Sequence, residues 1–219
     1  MMEGFWQYWI TAFLCRNLDR GETAYDLEAG YGYYSLLMSE LVGMQGRVVA
    51  LEYNPWLYQL LNRNIILNGR NTVVVSHRIL AAGQAATAQE LPAWLIEPSA
   101  STQPAAPLAY GSANSCIAPA MTLDGLEQGS ADLVLVSATA LEHGALDGMR
   151  GLMDRSPSLR IIVQFVPGRC RTPRETLKAL SDRFPLRFID FDARAKPISI
   201  EEVIKASSVT LFLSLTDPR

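Results

Sequence analysis

The chain predicts an α/β fold: a doubly wound, mostly parallel sheet with helices on both faces. Three observations carry that expectation. Short apolar runs alternate with helical stretches along most of the 219 residues, the pattern of parallel strands joined by crossover helices. One apolar run ends at an acid and two close glycines, Asp26-Leu-Glu-Ala-Gly-Tyr-Gly32, and a helical stretch follows. About twenty residues on, a second apolar run over 47–51 ends in the lone carboxylate Glu52, the spacing of a nucleotide- or nucleoside-binding βαβ unit.

Each element follows from local chemistry. The first strand is expected over 23–28, the helix after it over 33–41, and the second strand over 47–52. Asn54 can cap the next helix with Pro55 in its first turn, and Gly69 ends it. Val73–Ser76 continues as a third strand. Residues 81–120 break the rhythm; rich in Ala, Pro, Ser and Gly, they read as an irregular loop insertion with one hairpin, able to cover the site. Regularity returns at 132–137, a fourth strand, with a helix through about Asp154, and at 160–165, a fifth strand. Thr172-Pro-Arg-Glu175 has the form of a capping box with proline at the first helical position, opening a helix to about Phe184. The runs 186–191 and 209–215 supply two last strands, antiparallel to each other, for seven in all. With no internal repeat and no linker, residues 1–219 read as one domain.

Composition narrows the function. An apolar content of 49% excludes general disorder. A net charge of −3 without a basic run gives no electrostatic footprint for nucleic acid or an anionic membrane. Three cysteines, Cys15, Cys116 and Cys170, without a CxxC pair, fit a reducing cytoplasm better than a disulfide framework. The apolar stretch Phe5–Cys15 is too short to span a bilayer and lacks a signal peptide's basic start and cleavage site.

The glycine turn selects among ligands. A dinucleotide fingerprint wants a third glycine or alanine where Ser35 stands. The looser Asp-x-x-x-Gly-x-Gly form suits a ligand with a ribose and no pyrophosphate, of which S-adenosylmethionine is the obvious one. Gly30 and Gly32 allow a ligand to approach the backbone, and Glu52 can accept two hydrogen bonds from a ribose diol.

Asp26-Leu-Glu-Ala-Gly-Tyr-Gly-Tyr-Tyr-Ser35, Gly46-Arg-Val-Val-Ala-Leu-Glu-Tyr-Asn-Pro55, Leu61-Asn-Arg-Asn-Ile-Ile-Leu-Asn-Gly69 and Met121-Thr-Leu-Asp-Gly-Leu126 together resemble a class I S-adenosylmethionine-dependent methyltransferase of the FkbM type. The resemblance runs from about Gly4 to about Leu215. It implies a seven-stranded Rossmann-like sheet with an antiparallel strand near the carboxyl terminus, and methyl transfer to a hydroxyl of a small molecule or sugar. It also implies that the glycine turn faces the amino-acid end of the cofactor and that the acid after strand two holds the ribose. These roles fall on Asp26, Gly30, Gly32 and Glu52; Glu28, Ala29, Tyr31 and Tyr53, which adjoin them, and His77, at the end of strand three, complete the expected cofactor-binding residues.

The departures from that family are equally specific. Glu28 stands where the family has glycine, and a side chain there is expected to crowd and repel the methionine carboxylate. The family's Lys-Ile-Asp-Val-Glu-Gly appears as Leu135-Val-Ser-Ala-Thr-Ala140, and its glutamate in strand five as Gln164. Neutral groups at these positions leave a second function open, a catalytically degenerate domain that binds cofactor or a protein partner.

A hydroxyl acceptor needs a proton sink. His143, just after the fourth strand, is the one candidate, although an exposed histidine beside Glu142 at a helix start is the commoner reason for such a residue. No cluster has metal-ligand spacing. The aromatic group Phe5, Trp6, Tyr8 and Trp9 reads first as one face of a packed helix and second as a cover for cofactor or acceptor. Asp124 reads as the cap of a short helix.

Overall fold

A computed structural model describes residues 5–80, 89–92, 115–118, 120–126, 129–142 and 144–219. Helix α1 (Tyr8–Asn17) leads into strand β1 (Thr23–Leu27), helix α2 (Tyr33–Val42) and strand β2 (Arg47–Glu52). Helix α3 (Pro55–Leu67) and strand β3 (Val73–His77) complete that half. Four short strands follow, β4 (Ile79–Leu80), β5 (Gln89–Pro92), β6 (Ser115–Ala118) and β7 (Ala120–Met121). The second half runs through α4 (Leu123–Leu126), β8 (Leu133–Val136), α5 (Ala138–Glu142), α6 (Arg150–Arg155), β9 (Arg160–Phe165) and α7 (Pro173–Ser181). It ends with β10 (Arg187–Ile189), β11 (Ala195–Pro197), α8 (Ile200–Lys205) and β12 (Val209–Leu213).

The main sheet has the order β11-β10-β12-β9-β8-β1-β2-β3. Strands β3, β2, β1, β8 and β9 are parallel, whereas β12 runs antiparallel to both β9 and β10. The expected doubly wound topology is therefore present, with eight strands in place of seven. The extra one, β11, pairs antiparallel with β10. Its Ala-Lys-Pro sequence is too short and polar to register as a strand; a tight reversal with Ala193 in the left-handed region (φ 57°) returns it onto β10.

Alternation along the inner strands sorts the core into two faces. Tyr25, Leu27, Val49, Leu51, Val134 and Val136 point to one side, against α6, α7 and α8. Ala24, Val48, Leu133, Leu135 and Ile162 point to the other, where Ile10, Phe13 and Leu14 of α1 and Met38 and Val42 of α2 cover them. Helix α3 packs Leu61 and Ile65 on Ala50 of that same side. Inner parallel strands must be apolar on both faces, which is why β8 reads Leu-Val-Leu-Val and is buried throughout.

Several local expectations are revised. The single helix expected through Asp154 is two, α5 and α6, separated by Gly144 at φ 84° and a 3₁₀ turn over Asp147–Met149. Thr172 precedes a proline-led helix but its side chain caps nothing, whereas Ser199 and Glu202 form a full capping box on α8. Asn54 caps α3 as expected, its Oδ1 accepting from the amides of Trp56 and Leu57 at 3.0 and 3.1 Å. Asp124 caps not its own helix but α6, accepting from the Gly151 and Leu152 amides at 2.8 and 2.6 Å. Within the stretch 81–120, β5 and β6 pair antiparallel and Ala120 of β7 pairs with Ile79 of β4; the remainder of the expected loop insertion lies outside the described residues. No described helix is long and apolar enough to cross a membrane.

Candidate functional site

The carboxyl ends of β1, β2 and β8 lie side by side, in register at Leu27, Leu51 and Val136. The chain leaves β1 through a tight turn held by two backbone hydrogen bonds, Ala29 N–H to Leu51 O and Gly32 N–H to Ala29 O, each 2.9 Å. Glu28, Gly30 and Gly32 all adopt positive φ (64°, 58° and 88°). Gly32 serves as N-cap of α2, and a Cβ built there would meet Leu61 Cδ1 at 2.5 Å, so α3 packs against a glycine-only surface. A Cβ on Gly30 would meet nothing within 4 Å, which leaves the turn open on that side.

Three carboxylates gather at this edge. Asp26 is buried and accepts a 2.6 Å hydrogen bond from the Ser35 hydroxyl. Burial pushes its carboxyl up to about 6 despite that bond. Glu52, 2% exposed, accepts from the Gly30 and Asn54 amides at 2.8 Å each. Burial lifts it to about 7; the two amides oppose the rise, and the charges of Glu28 and Asp26 add to it. The Glu28 carboxylate crosses from the end of β1 to the end of β8, where it accepts a 2.7 Å hydrogen bond from the Ser137 hydroxyl. Ser137 Oγ in turn accepts from the Ala140 amide at 3.0 Å, so the same hydroxyl caps α5.

A cavity of about 350 Å³ opens at this point, bordered by Asp26, Glu28, Gly30, Ser137 and the aromatic side chains of Trp6 and Tyr34. Leu27, Ala29, Tyr31, Tyr33, Leu135 and Gln164 complete its lining. A second cavity of about 440 Å³ adjoins it over β9, β10 and β12 and shares Gln164; Trp9, Phe188 and Phe191 form its aromatic side. Between the two stands Gln7, itself at positive φ (43°). Its Oε1 accepts from the Tyr34 hydroxyl at 2.7 Å and from Gln164 Nε2 at 3.0 Å. No lysine, arginine or histidine lines either cavity among the described residues. A cavity of about 490 Å³ near α6 and α7, with Cys170 and Phe184, shares no lining residue with them.

The expected site residues divide accordingly. Asp26, Glu28, Ala29, Gly30 and Tyr31 surround one cavity, and Gly32 shapes the turn beneath it. Glu52 joins them through the Gly30 amide without lining the cavity. Tyr53 and His77 stand one strand further out and bond to each other, His77 Nε2 to Tyr53 O at 2.8 Å, with the Tyr58 ring 5.0 Å from the imidazole. His143 lies outside the described residues. Thr139 accepts from Arg169 at 3.2 Å and does not line either cavity. The Glu28 side chain reaches Ser137 and still borders the cavity.

Sequence reasoning missed Gln7, and Ser137 as the partner of Glu28. Of the aromatic group only Tyr8 and Trp9 lie in α1, and Phe5, Trp6 and Tyr8 are exposed, so the packed-face reading is revised; Trp6 borders the cavity and Trp9 packs edge-on against Phe191 at 4.8 Å. Two tyrosines directly after the glycine turn were the available signal for an aromatic wall. Among the described residues no group of three His, Cys, Asp or Glu side chains could hold a metal ion.

Comparison with known proteins agrees with this geometry. The family model described as protein-L-isoaspartate(D-aspartate) O-methyltransferase matches residues 7–102. Protein-L-isoaspartate O-methyltransferase 1 from Archaeoglobus fulgidus is 35% identical over 68 residues, 30% of this chain and 32% of that protein. The chain thus aligns with about a third of the length of this curated relative. Among solved structures, an rRNA methylase from Streptococcus thermophilus superimposes with a TM-score of 0.57 at 12% identity, covering 98% of each chain. A SAM-dependent O-methyltransferase from Thermotoga maritima gives 0.53 at 14%, covering 97% of this chain and 66% of that one. At such identities the likeness concerns architecture: the chain has the class I S-adenosylmethionine-dependent methyltransferase fold. The matched family model spans the glycine turn and Glu52, so these motifs mark the wider fold and not the FkbM type in particular.

Proposed function

We propose that this chain transfers a methyl group from S-adenosylmethionine to a hydroxyl of a small molecule or sugar. The observation that carries the reading is the set of carboxylates Asp26, Glu28 and Glu52 gathered with a glycine turn at the carboxyl edge of a methyltransferase sheet. In open α/β sheets ligands bind at that edge. A cationic, ribose-bearing ligand fits an edge rich in carboxylates, and the open face at Gly30 leaves room for it. When bound, the cofactor supplies an electrophilic methyl group on a sulfonium.

The chain's own part is positional. Glu52 keeps one lone-pair direction on each oxygen beyond its bonds to Gly30 and Asn54, enough to accept from a ribose diol. Trp6, Tyr33 and Tyr34 line one side of the cavity. The proton released by the acceptor hydroxyl goes, in this proposal, to His143, the histidine that follows the fourth strand in sequence.

The acceptor reading rests on charge. The Archaeoglobus relative is named for a carboxylate acceptor and the Streptococcus structure for RNA, both anionic. Here an anionic acceptor would approach Asp26 and Glu28 with no described cation in either cavity to offset them. A neutral hydroxyl carries no such cost, and the aromatic second cavity lies next to the carboxylates.

The test is a calorimetric titration with S-adenosylmethionine, followed by transfer of a labelled methyl group to catechol, a hexose or an isoaspartyl peptide. Binding with transfer to a hydroxyl compound is expected; transfer to the isoaspartyl peptide alone would overturn the acceptor assignment. Ser137, Thr139 and Gln164 favour one second reading, a domain that binds the cofactor without turnover, for which binding would be accompanied by no transfer to any hydroxyl compound.

A further inference from the structure

Gln164 lines both cavities at the carboxyl edge of the sheet. Its Nε2 donates to Gln7 Oε1 at 3.0 Å, and that oxygen also receives the Tyr34 hydroxyl at 2.7 Å. The amide nitrogen is thereby committed, whereas Gln164 Oε1 accepts from no described residue. A half-buried amide oxygen is costly without a donor, so this one is available to a ligand hydroxyl. Gln7 holds the arrangement from a left-handed backbone (φ 43°), a strain that clusters at ligand sites.

The second cavity, about 440 Å³, has the size of a small-ligand site, and most of its lining is aromatic or aliphatic. Trp9 and Phe191 meet edge to face, with ring centroids 4.8 Å apart and planes at 80°. The indole is anchored by its own N–H, which donates to Thr210 Oγ1 at 3.3 Å. Phe191 is 74% exposed, a large apolar side chain facing water. Such a corner suits a flat ring, stacked on one aromatic face and met edge-on by the other. Asp190 is the one charged side chain among the described lining residues. Both its oxygens are engaged, one by Lys196 at 2.5 Å and one by the Phe191 amide at 2.7 Å.

We propose that the methyl acceptor is an uncharged phenol, its ring on Trp9 and Phe191 and its hydroxyl donating to Gln164 Oε1. This rests on the methyltransferase reading above and narrows it from hydroxyl compounds in general. Because Gln164 belongs to both linings, a hydroxyl held there stands at the boundary with the cavity beside Asp26 and Glu28.

Two arguments favour a phenol over a sugar. A hexose brings several hydroxyls, each needing a partner once buried, and Thr210 and Asp190 are already engaged. A phenol also loses its proton near pH 10, whereas a sugar alcohol is about as weak an acid as water, at about 15.7. The positions where the resemblance expects acids carry Ser137, Thr139 and Gln164, so an acceptor that ionises readily suits this edge. In the transfer the bond from methyl carbon to sulfur breaks, and its electron pair stays on sulfur as a thioether. A lone pair of the phenol oxygen forms the new carbon–oxygen bond, and the phenol proton goes to the base assigned above. Gln164 orients the hydroxyl and takes no proton.

The experiment follows labelled methyl transfer from S-adenosylmethionine to phenol, 2-naphthol and glucose by the full chain. Both phenols are expected to be methylated, with kcat/KM at least about tenfold above glucose. Phe191→Ala, a change at an exposed side chain, is expected to raise KM for 2-naphthol about tenfold, the worth of a lost aromatic contact. Its affinity for S-adenosylmethionine, measured by calorimetry, is expected to stay unchanged, since Phe191 lines the second cavity alone. Gln164→Leu is expected to lower kcat/KM for both phenols about tenfold at saturating cofactor, for a lost hydrogen bond.

Transfer to glucose with equal or better efficiency, an unchanged KM in Phe191→Ala, or an unchanged kcat/KM in Gln164→Leu would each overturn the inference and leave the methyltransferase reading standing. Cofactor binding without transfer to either phenol would overturn it as well. Failure of the unmodified chain to bind S-adenosylmethionine would overturn the methyltransferase reading and the inference with it.

Discussion

The Gly30 amide donates to the Glu52 carboxylate across 2.8 Å, joining the turn after β1 to the end of β2. The bond makes the glycine turn and the second acid one unit, since moving either displaces the other. Replacing Glu52 with alanine is expected to weaken S-adenosylmethionine by about ten- to hundredfold, the worth of a charge-assisted and bidentate contact. In the proposed placement Glu52 accepts from the ribose, so 5′-methylthioadenosine should lose the same factor. Isothermal titration of both ligands checks this.

Stability should fall as the pH rises from acidic to neutral. Asp26 and Glu52 have folded-state values raised to about 6 and about 7. A raised acid contributes stability that is complete below its ordinary pKa and is lost as pH rises through the folded value. Denaturant unfolding should therefore give a lower free energy at pH 8 than at pH 5, with the decline concentrated between about pH 4 and 7. Glu52 alone accounts for on the order of 3 kcal/mol, and Glu52→Gln should flatten the profile.

Cofactor binding should show the opposite trend. A cationic ligand prefers these acids ionised, so affinity should rise from pH 5.5 to pH 8 and binding should release protons. Titration in buffers of different ionisation enthalpy measures that release directly. Proton uptake in place of release would contradict the assignment of a cation to this edge.

Gly32→Ala should destabilise the fold by about 1–3 kcal/mol. The added methyl would meet Leu61 Cδ1 at 2.5 Å in a residue already at φ 88°, and Leu61 is fully buried. Chemical denaturation checks the magnitude. Gly30→Ala, with the same positive φ but open space around its Cβ, should cost less.

Asp124→Ala should cost about 1–2 kcal/mol, the usual worth of a helix cap. It removes the acceptor for the first amides of α6 and the partner of Arg155 at 3.2 Å. Thermal melting measures it, and Asp124→Asn should recover most of the loss by keeping an acceptor oxygen.

How much of this was legible depends on whether a residue's task is local. The strand-helix alternation, Asn54 on α3 and the Asp26–Gly32 turn obey short-range rules and were readable. Strand β11 was not, because three residues of Ala-Lys-Pro become a strand only once the reversal at Ala193 lays them on β10. The Thr172 box was misleading for the complementary reason: the right residues stand at the right spacing, yet Thr172 takes a backbone geometry of φ −131°, ψ 67° and its side chain makes no cap. In the site, Asp26 and Glu52 were visible as acids at strand ends. The Glu28–Ser137 bond, between residues 109 positions apart, was not, since only the parallel pairing of β1 with β8 brings them together.

Gln7 carries a consequence for the size of ligand this edge admits. One carbonyl oxygen receives Tyr34 from the first cavity and Gln164 from the wall shared with the second. The amide is thus a crossbar between compartments of about 350 and 440 Å³. The two compartments meet at Gln164, the residue that Gln7 holds through its carbonyl oxygen. The partition of that space is set by the residue immediately before α1, far in sequence from Gln164 on β9.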